Sequence, residues 1–490
     1  MNLESITSKA THAFKWSALT EIVTRIASPL VNVILAGLLA PTDFGIVATA
    51  MIAISLAQIF WDVGLSKALI QTNENTENLA NVVFWINIVL GLALYLFLFV
   101  AAPWVGVFFK SPASGPVLRI LGLQIVIASL SSVQQAFYVR ELDFRQLFRV
   151  KILMIVISAS FSITLALSGY GVWALVAGAL AGQTVNLVFL WHSSHWRPSL
   201  QPTFSLPKRF FKFGIWILAE GLLAWFFSWG DSLVVGRYIG IDELGVYQVG
   251  LSMVAILYGL WVNPFVPVLF PSLARLQDNK TEFMRVFRKT NQFIMMLVLP
   301  IGVSLYLVGS EGALMIFGER WQNLGIVISI LGLRTALAWL VGINGEVYRA
   351  IGRPDINVKL MVVSVFAYFP IYLWAASRGL SMFLFGYFCT AIIGILVHVV
   401  ISSRSLHLSP LYLWYDGKNF FLSAFGMGIF LVTIKSGIAA IAPNVSLFLT
   451  LITLLTTSAA IYLAMLWFLE RAFVVQTIQL IKATVRDQGD

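Results

Sequence analysis

The chain has 490 residues, of which 59% are hydrophobic and 11% charged, and its net charge is +10. A soluble protein of this composition would expose large apolar patches, so an ordinary soluble domain is excluded. Apolar runs of about 20 residues recur along the chain, whereas strands of a membrane barrel alternate over about 10 residues. The single cysteine, Cys389, excludes an intramolecular disulfide. Composition therefore predicts an all-α integral membrane protein.

Fourteen apolar segments are long enough to span a bilayer as helices. In chain order they occupy about residues 14–39, 45–69, 80–108, 117–138, 150–168, 172–193, 211–237, 245–271, 291–310, 324–344, 358–376, 380–402, 419–440 and 445–468. The residues after 468 are predicted to form a cytoplasmic tail with an amphipathic start. A cleavable signal peptide is not expected, because the first apolar segment contains Glu21 and Arg25.

The distribution of basic residues predicts the orientation. With the N-terminus inside, 24 of the 32 Lys and Arg residues fall in inner loops and tails, and six fall on the outer side. Such an excess marks the cytoplasmic face, so both termini are predicted to be cytoplasmic. The positive charge is thereby explained by topology and contact with anionic lipid, and no nucleic-acid partner is expected.

A weak internal repeat occurs at a spacing of 200 residues. The segment Ile34–Val47 resembles Val234–Tyr247, and Trp61 corresponds to Trp261. Each copy is the first hairpin of a six-span unit, and a unit with an even number of spans keeps its orientation when repeated. The repeat predicts two six-helix lobes, 1–209 and 210–404, related by a pseudo-two-fold axis along the membrane normal, with a binding region between them. Residues 405–490 then form a final helix pair and the cytoplasmic tail.

The first span carries a polar stripe at helical spacing, formed by Ser17, Glu21, Thr24, Arg25, Ser28 and Asn32. Arg25 lies roughly 15 Å from Lys15 along the helix, near the bilayer midplane. Glu220 and Arg334 reach comparable depths, roughly 12 and 16 Å from their span ends. Ionisable groups at this depth rarely face lipid. The stripe therefore predicts a wet interior.

Two interpretations of these charges remain open. In the simpler one, Glu21 and Arg25 neutralise each other at i and i+4, and Arg334 pairs with Glu220. In the other, Arg25 and Arg334 attract an anion into a central cavity, because arginine keeps its positive charge in proteins.

Further polar side chains lie within the spans. Gln58 and Asp62 share one face of the second span, and Asp62 could be solvated or pair with Lys67 near the cytoplasmic end. Asp231, on the stripe of Glu220, is close enough to the outer end to be hydrated. Coupling to H+ or Na+ is the alternative for these acids.

Gln124 and Gln135 lie on one face of the fourth span, where amides join helices or contact substrate. Motifs for phosphate-binding loops, zinc proteases and serine hydrolases are absent, as is an outer loop long enough for a catalytic domain. We therefore expect neither an enzyme nor a bound cofactor or metal.

Several short motifs together resemble the polysaccharide transporter branch of the MOP exporter superfamily (multidrug, oligosaccharidyl-lipid and polysaccharide exporters), close to flippases of the colanic-acid-exporter and O-antigen types. They are Lys15–Ala18, Asp43–Gly45, Asp62–Leu65 with Leu69–Gln71, Arg140–Phe144, Phe213–Trp216, Asn263-Pro264, Leu269–Asp278 and Phe317–Trp321. The resemblance covers about residues 10–360, and hydropathy alone continues it beyond.

The resemblance implies a lipid-linked oligosaccharide flippase of the bacterial inner membrane with fourteen helices. Such a protein moves an undecaprenyl-pyrophosphate-linked repeat unit to the periplasmic leaflet by alternating access, for exopolysaccharide, lipopolysaccharide O-antigen or capsule synthesis. Membrane lipids, a polysaccharide polymerase and other assembly proteins are the implied partners. Candidate substrate-binding residues are Arg25, Arg334, Asn32, Gln58, Gln124, Gln135 and Asn263, and ion-coupling candidates are Glu21, Asp62, Glu220 and Asp231.

Two other functions are alternatives. A cation-coupled multidrug exporter of the same superfamily would favour acidic residues in the cavity, which two midplane arginines do not provide. A membrane polysaccharide polymerase or ligase would need a substantial catalytic outer loop.

Overall fold

The computed structural model describes residues 3–61, 69, 76–199, 209–262, 266–441 and 445–486. Within these residues the secondary structure is helical, without strands. A π-helical turn, Val235–Ile239, follows α8, and a 3-10 turn, Glu319–Trp321, precedes α12. The α-helices are α1 Leu3–Leu38, α2 Pro41–Trp61, α3 Thr76–Phe108, α4 Ser114–Leu121, α5 Leu123–Arg140, α6 Phe144–Leu167, α7 Val172–Ser193, α8 Arg209–Val234, α9 Ile241–Val262, α10 Val266–Ala274, α11 Lys280–Phe317, α12 Leu324–Trp339, α13 Asn344–Ala350, α14 Asp355–Ala376, α15 Leu380–Leu406, α16 Tyr412–Ile441, α17 Leu447–Leu469 and α18 Arg471–Arg486.

The described residues contain fourteen helical segments long and apolar enough to cross a membrane. This confirms the predicted all-α class and the number of spans. Helices are expected in such segments because lipid offers no hydrogen-bonding partner, so each span must satisfy its own backbone groups.

Two predicted spans have different limits in the structure than in the hydropathy pattern. The predicted span 291–310 is part of the longer α11, which starts at Lys280 because the Asn279 side chain accepts a hydrogen bond from the Glu282 amide at 3.2 Å. The predicted span 117–138 consists of α4 and α5, which meet at Gly122. A Cβ at Gly122 would lie 2.9 Å from the Leu118 carbonyl oxygen and 3.4 Å from the Tyr95 ring.

The chain forms two compact units. Unit 1 contains Met1–Val249 and Val365–Leu380, and unit 2 contains Gly250–Ser364 and Ser381–Asp490. The lobes 1–209 and 210–404 were defined by the internal repeat and not by compactness. Their pseudo-two-fold relation stays a prediction.

Within unit 1, the 200-residue repeat has a direct structural counterpart where α2 and α9 begin. Thr42 Oγ1 donates a hydrogen bond to Asp242 Oδ1, exactly one repeat later in the chain. A Cβ at Gly45 would overlap the Ile241 carbonyl oxygen, and one at Gly245 would overlap the Pro41 carbonyl oxygen. The contact is reciprocal, as at a local two-fold axis. Glycine is required at both positions because any side chain would overlap backbone.

Within unit 2, the last two spans are attached to α11. Asp416 of α16 is 4% exposed and accepts two hydrogen bonds from Arg288 Nε, at 2.9 and 2.8 Å. Lys435, further along α16, pairs with Glu311 and donates to the Leu307 carbonyl oxygen at 3.0 Å. Two ion pairs therefore bind α16 to both ends of α11.

Apolar packing joins the same helices between these ion pairs. A buried cluster includes Leu299 of α11, Phe420 and Met427 of α16, and Leu454 of α17. Tyr462 of α17 donates its hydroxyl to the Met296 carbonyl oxygen at 2.9 Å. The final helix pair is thus part of the core of unit 2.

Candidate functional site

The polar face of α1 carries an ion pair in mid-span. Arg25 Nε lies 3.0 Å from Glu21 Oε2, one helical turn earlier. The Arg25 side chain is 37% exposed and the Glu21 side chain 65% exposed, so neither is packed into an apolar core. Asn32, on the same stripe, is half-buried. The guanidinium is therefore held in place by its own helix and retains an exposed surface that a second anion could approach.

Arg334, in α12 of unit 2, is held by an aromatic residue. Its Nε donates to the Tyr387 carbonyl oxygen at 3.3 Å, and its guanidinium carbon lies 3.7 Å from the centre of the Tyr387 ring. Tyr387, in α15, is buried and stacks on Phe383, with ring centres 5.9 Å apart. A cation over a ring face is attracted by the negative face of the π system, more strongly where water is excluded.

The amide candidates differ in environment. Gln58 of α2 and Gln135 of α5 are exposed. Gln124 is 8% exposed, and its Nε2 lies 3.6 Å from Met51 Sδ, in the contact between α5 and α2. Asn263 lies outside the described residues, as does the acidic candidate Asp62.

Asp231 of α8 is buried, so the expectation that it is hydrated was wrong. It is 6% exposed. Its Oδ1 accepts from the Ser232 amide at 2.6 Å and hydroxyl at 3.2 Å, and its Oδ2 accepts from the Tyr247 hydroxyl at 2.8 Å. The network continues as Gln248 Nε2 donates to Ser232 Oγ at 2.9 Å. Neutral donors on α8 and α9 therefore solvate this carboxylate.

Glu220, three turns earlier on α8, is exposed. Between the two acids, Trp225 Nε1 donates to Ser55 Oγ of α2 at 2.9 Å. Both acids therefore lie on a helix that is fixed to α2, but only Glu220 is in an open environment.

Sequence reasoning missed two residues of these environments. Tyr387 carries no charge and lies in an apolar run, so no local pattern identifies it as a support for Arg334. Gln134, next to the candidate Gln135, is fully buried, and both of its amide atoms lack a hydrogen-bond partner in the described part of the chain. The sequence offers one signal for this. Gln134 is adjacent to Gln135, so the two side chains lie on different faces of the helix.

Comparisons with known proteins agree on the class. The family described as "Polysaccharide biosynthesis protein" matches residues 34–325, more than half of the chain. The lipopolysaccharide biosynthesis protein WzxC of Escherichia coli (strain K12) is 25% identical, over 75% of this chain and 75% of WzxC. The succinoglycan biosynthesis transport protein ExoT of Rhizobium meliloti (strain 1021) is 27% identical, over 65% of this chain and 64% of ExoT.

Among solved structures, the lipid II flippase MurJ in an inward closed conformation is similar with a TM-score of 0.73. The match covers 93% of this chain and 99% of MurJ at 13% sequence identity. A likeness at this identity establishes a shared fold.

Proposed function

The chain belongs to the polysaccharide biosynthesis protein family, and we propose that it moves an undecaprenyl-pyrophosphate-linked oligosaccharide across the bacterial inner membrane. The substrate passes from the cytoplasmic to the periplasmic leaflet by alternating access, and both termini of the protein are cytoplasmic. The product then enters exopolysaccharide, O-antigen or capsule synthesis.

One observation carries the proposal beyond family membership: two arginines lie deep within apolar spans, α1 and α12. A charge at such depth is costly unless it serves a polar partner. A pyrophosphate presents several charged oxygens, and guanidinium groups bind phosphate through two parallel N–H donors. Two arginines therefore suit this headgroup.

The contacts of each arginine suggest how it acts. Arg334 stacks on a ring and donates through Nε, which fixes the plane of the guanidinium. Arg25 has Glu21 as a counter-ion, which substrate would have to replace. In our proposal, the arriving pyrophosphate displaces Glu21, and the released carboxylate takes up H+ or Na+. Glu220, Asp231 and Asp62 are the other proposed coupling residues.

The proposed movement is a rocking of the 1–237 half against the 211–402 half, which share the region around α8. The uncharged candidates Asn32, Gln58, Gln124, Gln135 and Asn263 would contact the glycan. No enzymatic step is proposed, in keeping with the transport role in the name of ExoT. A polysaccharide polymerase is a proposed partner that would use the translocated product.

The test is translocation of the lipid-linked repeat unit in proteoliposomes, together with surface polysaccharide in a strain that depends on this protein. Arg25→Ala and Arg334→Ala are each expected to lower the translocation rate at least about tenfold, which corresponds to about 1.4 kcal/mol, since each removes one charge-assisted contact. Arg25→Lys should retain part of the translocation rate, because lysine keeps the positive charge but lacks the paired N–H donors of the guanidinium group.

Arg349→Ala serves as a control, because Arg349 also pairs within its helix, 3.1 Å from Glu346, but at the end of a span. It should transport normally. Wild-type translocation by both Arg25→Ala and Arg334→Ala would refute the pyrophosphate assignment.

A further inference from the structure

The end of α3 contains a basic cavity that the proposed transport does not use. A cavity of about 450 Å³ lies in unit 1 between the end of α3 and the start of α4. Lys110 and Arg119 both line it, and none of its described lining residues is acidic. In the proposed orientation this is the outer side, which holds six of the 32 basic residues. Two of those six therefore share one cavity.

Backbone forms part of the cavity wall because two glycines allow a close approach. A Cβ at Gly106 would lie 3.1 Å from the Ser111 carbonyl oxygen, and one at Gly115 would lie 3.3 Å from the Ala102 carbonyl oxygen. The two cationic side chains are thus attached to a tightly packed turn.

Lys110 adopts a conformation that favours glycine. Its φ is +54°, and the turn is closed by the Ser111 amide, which donates to the Gly106 carbonyl oxygen at 2.8 Å. Glycine would adopt this conformation without strain. A lysine at a strained backbone position is consistent with a role for its ammonium group.

Arg119 is oriented from the other side. Its Nε donates to the Phe99 carbonyl oxygen at 3.2 Å, and its guanidinium carbon lies 4.8 Å from the centre of the Phe99 ring. Neither Arg119 nor Lys110 forms an ion pair with any residue in the described ranges. Two cations without a counter-ion therefore face one cavity.

The rim of the cavity is apolar. Val107 lines it and is largely exposed, as is Trp104 one turn earlier on α3. Ile120, next to Arg119, is also exposed. In a membrane span such a surface faces acyl chains, and an exposed tryptophan near a span end marks the interface.

We propose that this cavity binds the phosphate group of an anionic phospholipid, with the acyl chains lying along the exposed face of α3. Soluble phosphate would use the cations but not the apolar rim. The proposed occupant is therefore a resident anionic phospholipid, in which the phosphate carries attached acyl chains.

The experiment is native mass spectrometry of the purified full chain with phosphatidylglycerol or phosphatidylcholine. The wild type should retain phosphatidylglycerol preferentially. Lys110→Gln and Arg119→Gln should each weaken that binding about fivefold, the effect of roughly one basic residue on attraction to an anionic lipid surface. Excess inorganic phosphate should not displace the lipid, and neither should undecaprenyl pyrophosphate at equal concentration. Displacement by undecaprenyl pyrophosphate would make the cavity a site for the translocated lipid and would overturn the proposal.

Two variants separate binding from structure. Lys110→Gly removes the positive charge and also the strain of a positive φ at a residue with a side chain. It should therefore weaken lipid binding while the melting temperature stays equal to that of the wild type or rises. Arg378→Gln is the matched control, because Arg378 is another predicted outer-side arginine, stacked 4.0 Å from the centre of the Trp374 ring. It should bind phosphatidylglycerol like the wild type.

Unchanged lipid retention in the Lys110→Gln/Arg119→Gln double variant would overturn the proposal. So would equal weakening by Arg378→Gln, which would show an effect of overall charge, or displacement by inorganic phosphate. Binding is measured without transport, so a negative result leaves the proposed flippase function standing. Loss of that function likewise leaves this lipid site unaffected.

Discussion

At the scale of single residues, three of the described ionisable side chains within spans are stabilised in different ways. Arg25 has a counter-ion on its own helix, Arg334 has a ring and a carbonyl oxygen, and Asp231 has neutral hydrogen-bond donors. Burying a charge is costly unless hydrogen bonds or an opposite charge replace water. Exposure therefore distinguishes the partly open Arg25 from the enclosed Asp231.

The Asp231 network predicts a loss of stability upon substitution. Asp231→Leu removes the carboxylate that accepts from the Tyr247 hydroxyl and the Ser232 hydroxyl, and losing the acceptor of a buried donor costs about 1–3 kcal/mol. The variant should unfold several degrees lower in a thermal melt in detergent.

A double variant checks the origin of that loss. Tyr247→Phe removes the hydroxyl that donates to Asp231, so Asp231→Leu/Tyr247→Phe should lose less stability than the sum of the single variants. Simple additivity, or an Asp231→Leu protein as stable as the wild type, would mean that the network contributes little.

At the scale of elements, the first turns of α2 and α9 form a tightly constrained contact in unit 1. Repeated sequence and reciprocal geometry coincide here, because Thr42 bonds to Asp242 and Gly45 faces Gly245. Helices that approach until backbones touch tolerate no side chain between them. A small residue is thus required on both copies of the repeat, although their neighbours have diverged.

Alanine at either glycine should force these helix ends apart. Gly45→Ala and Gly245→Ala are each expected to destabilise the protein by about 1–3 kcal/mol, the typical cost of overpacking a close contact. Gly37→Ala is the matched control, because a Cβ at Gly37 meets nothing within 4 Å. It should be neutral or stabilising, since alanine favours helix over glycine.

Thermal melts of the three variants decide the matter. If Gly45→Ala has the same melting temperature as Gly37→Ala, α2 and α9 can separate without a cost in stability. The contact would then not constrain the two helix ends.

At the scale of the whole molecule, long-range ion pairs attach the last spans to the chain. Arg288 and Asp416 are 128 residues apart, and the Asp416 side chain is only 2% exposed. Removing one partner of a buried pair leaves the other charge uncompensated, whereas replacing both with apolar groups is often neutral. The final helix pair is therefore expected to depend on this contact for its stability.

Arg288→Ala should destabilise the protein by about 1–3 kcal/mol, because the buried Asp416 loses its partner, while the Arg288 side chain itself is 51% exposed. Arg288→Met/Asp416→Leu should recover most of that loss. Arg285→Ala, which breaks an exposed pair with Glu282 one turn away, should have little effect. The measurement is thermal unfolding in detergent, and equal melting of Arg288→Ala and Arg285→Ala would contradict the expectation.

Much of the architecture could be predicted because its signals are local. Hydropathy over about 20 residues predicts a span, and fourteen were found among the described residues. The 200-residue repeat led to the hairpin whose two copies meet at Thr42 and Asp242. Candidate site residues such as Arg25 and Arg334 were identifiable because ionisable side chains interrupt apolar runs.

The sequence by itself therefore determined the class, the number of spans and the polar positions within them. Only the tertiary structure decided which polar groups are enclosed: Asp231 is buried by α9, and Asp416 is paired with Arg288. It also decided that Tyr387, an uncharged residue in an apolar run, supports Arg334. The physical reason is range, because hydropathy and helical period act within one segment, whereas burial and pairing depend on helices brought together from distant parts of the chain.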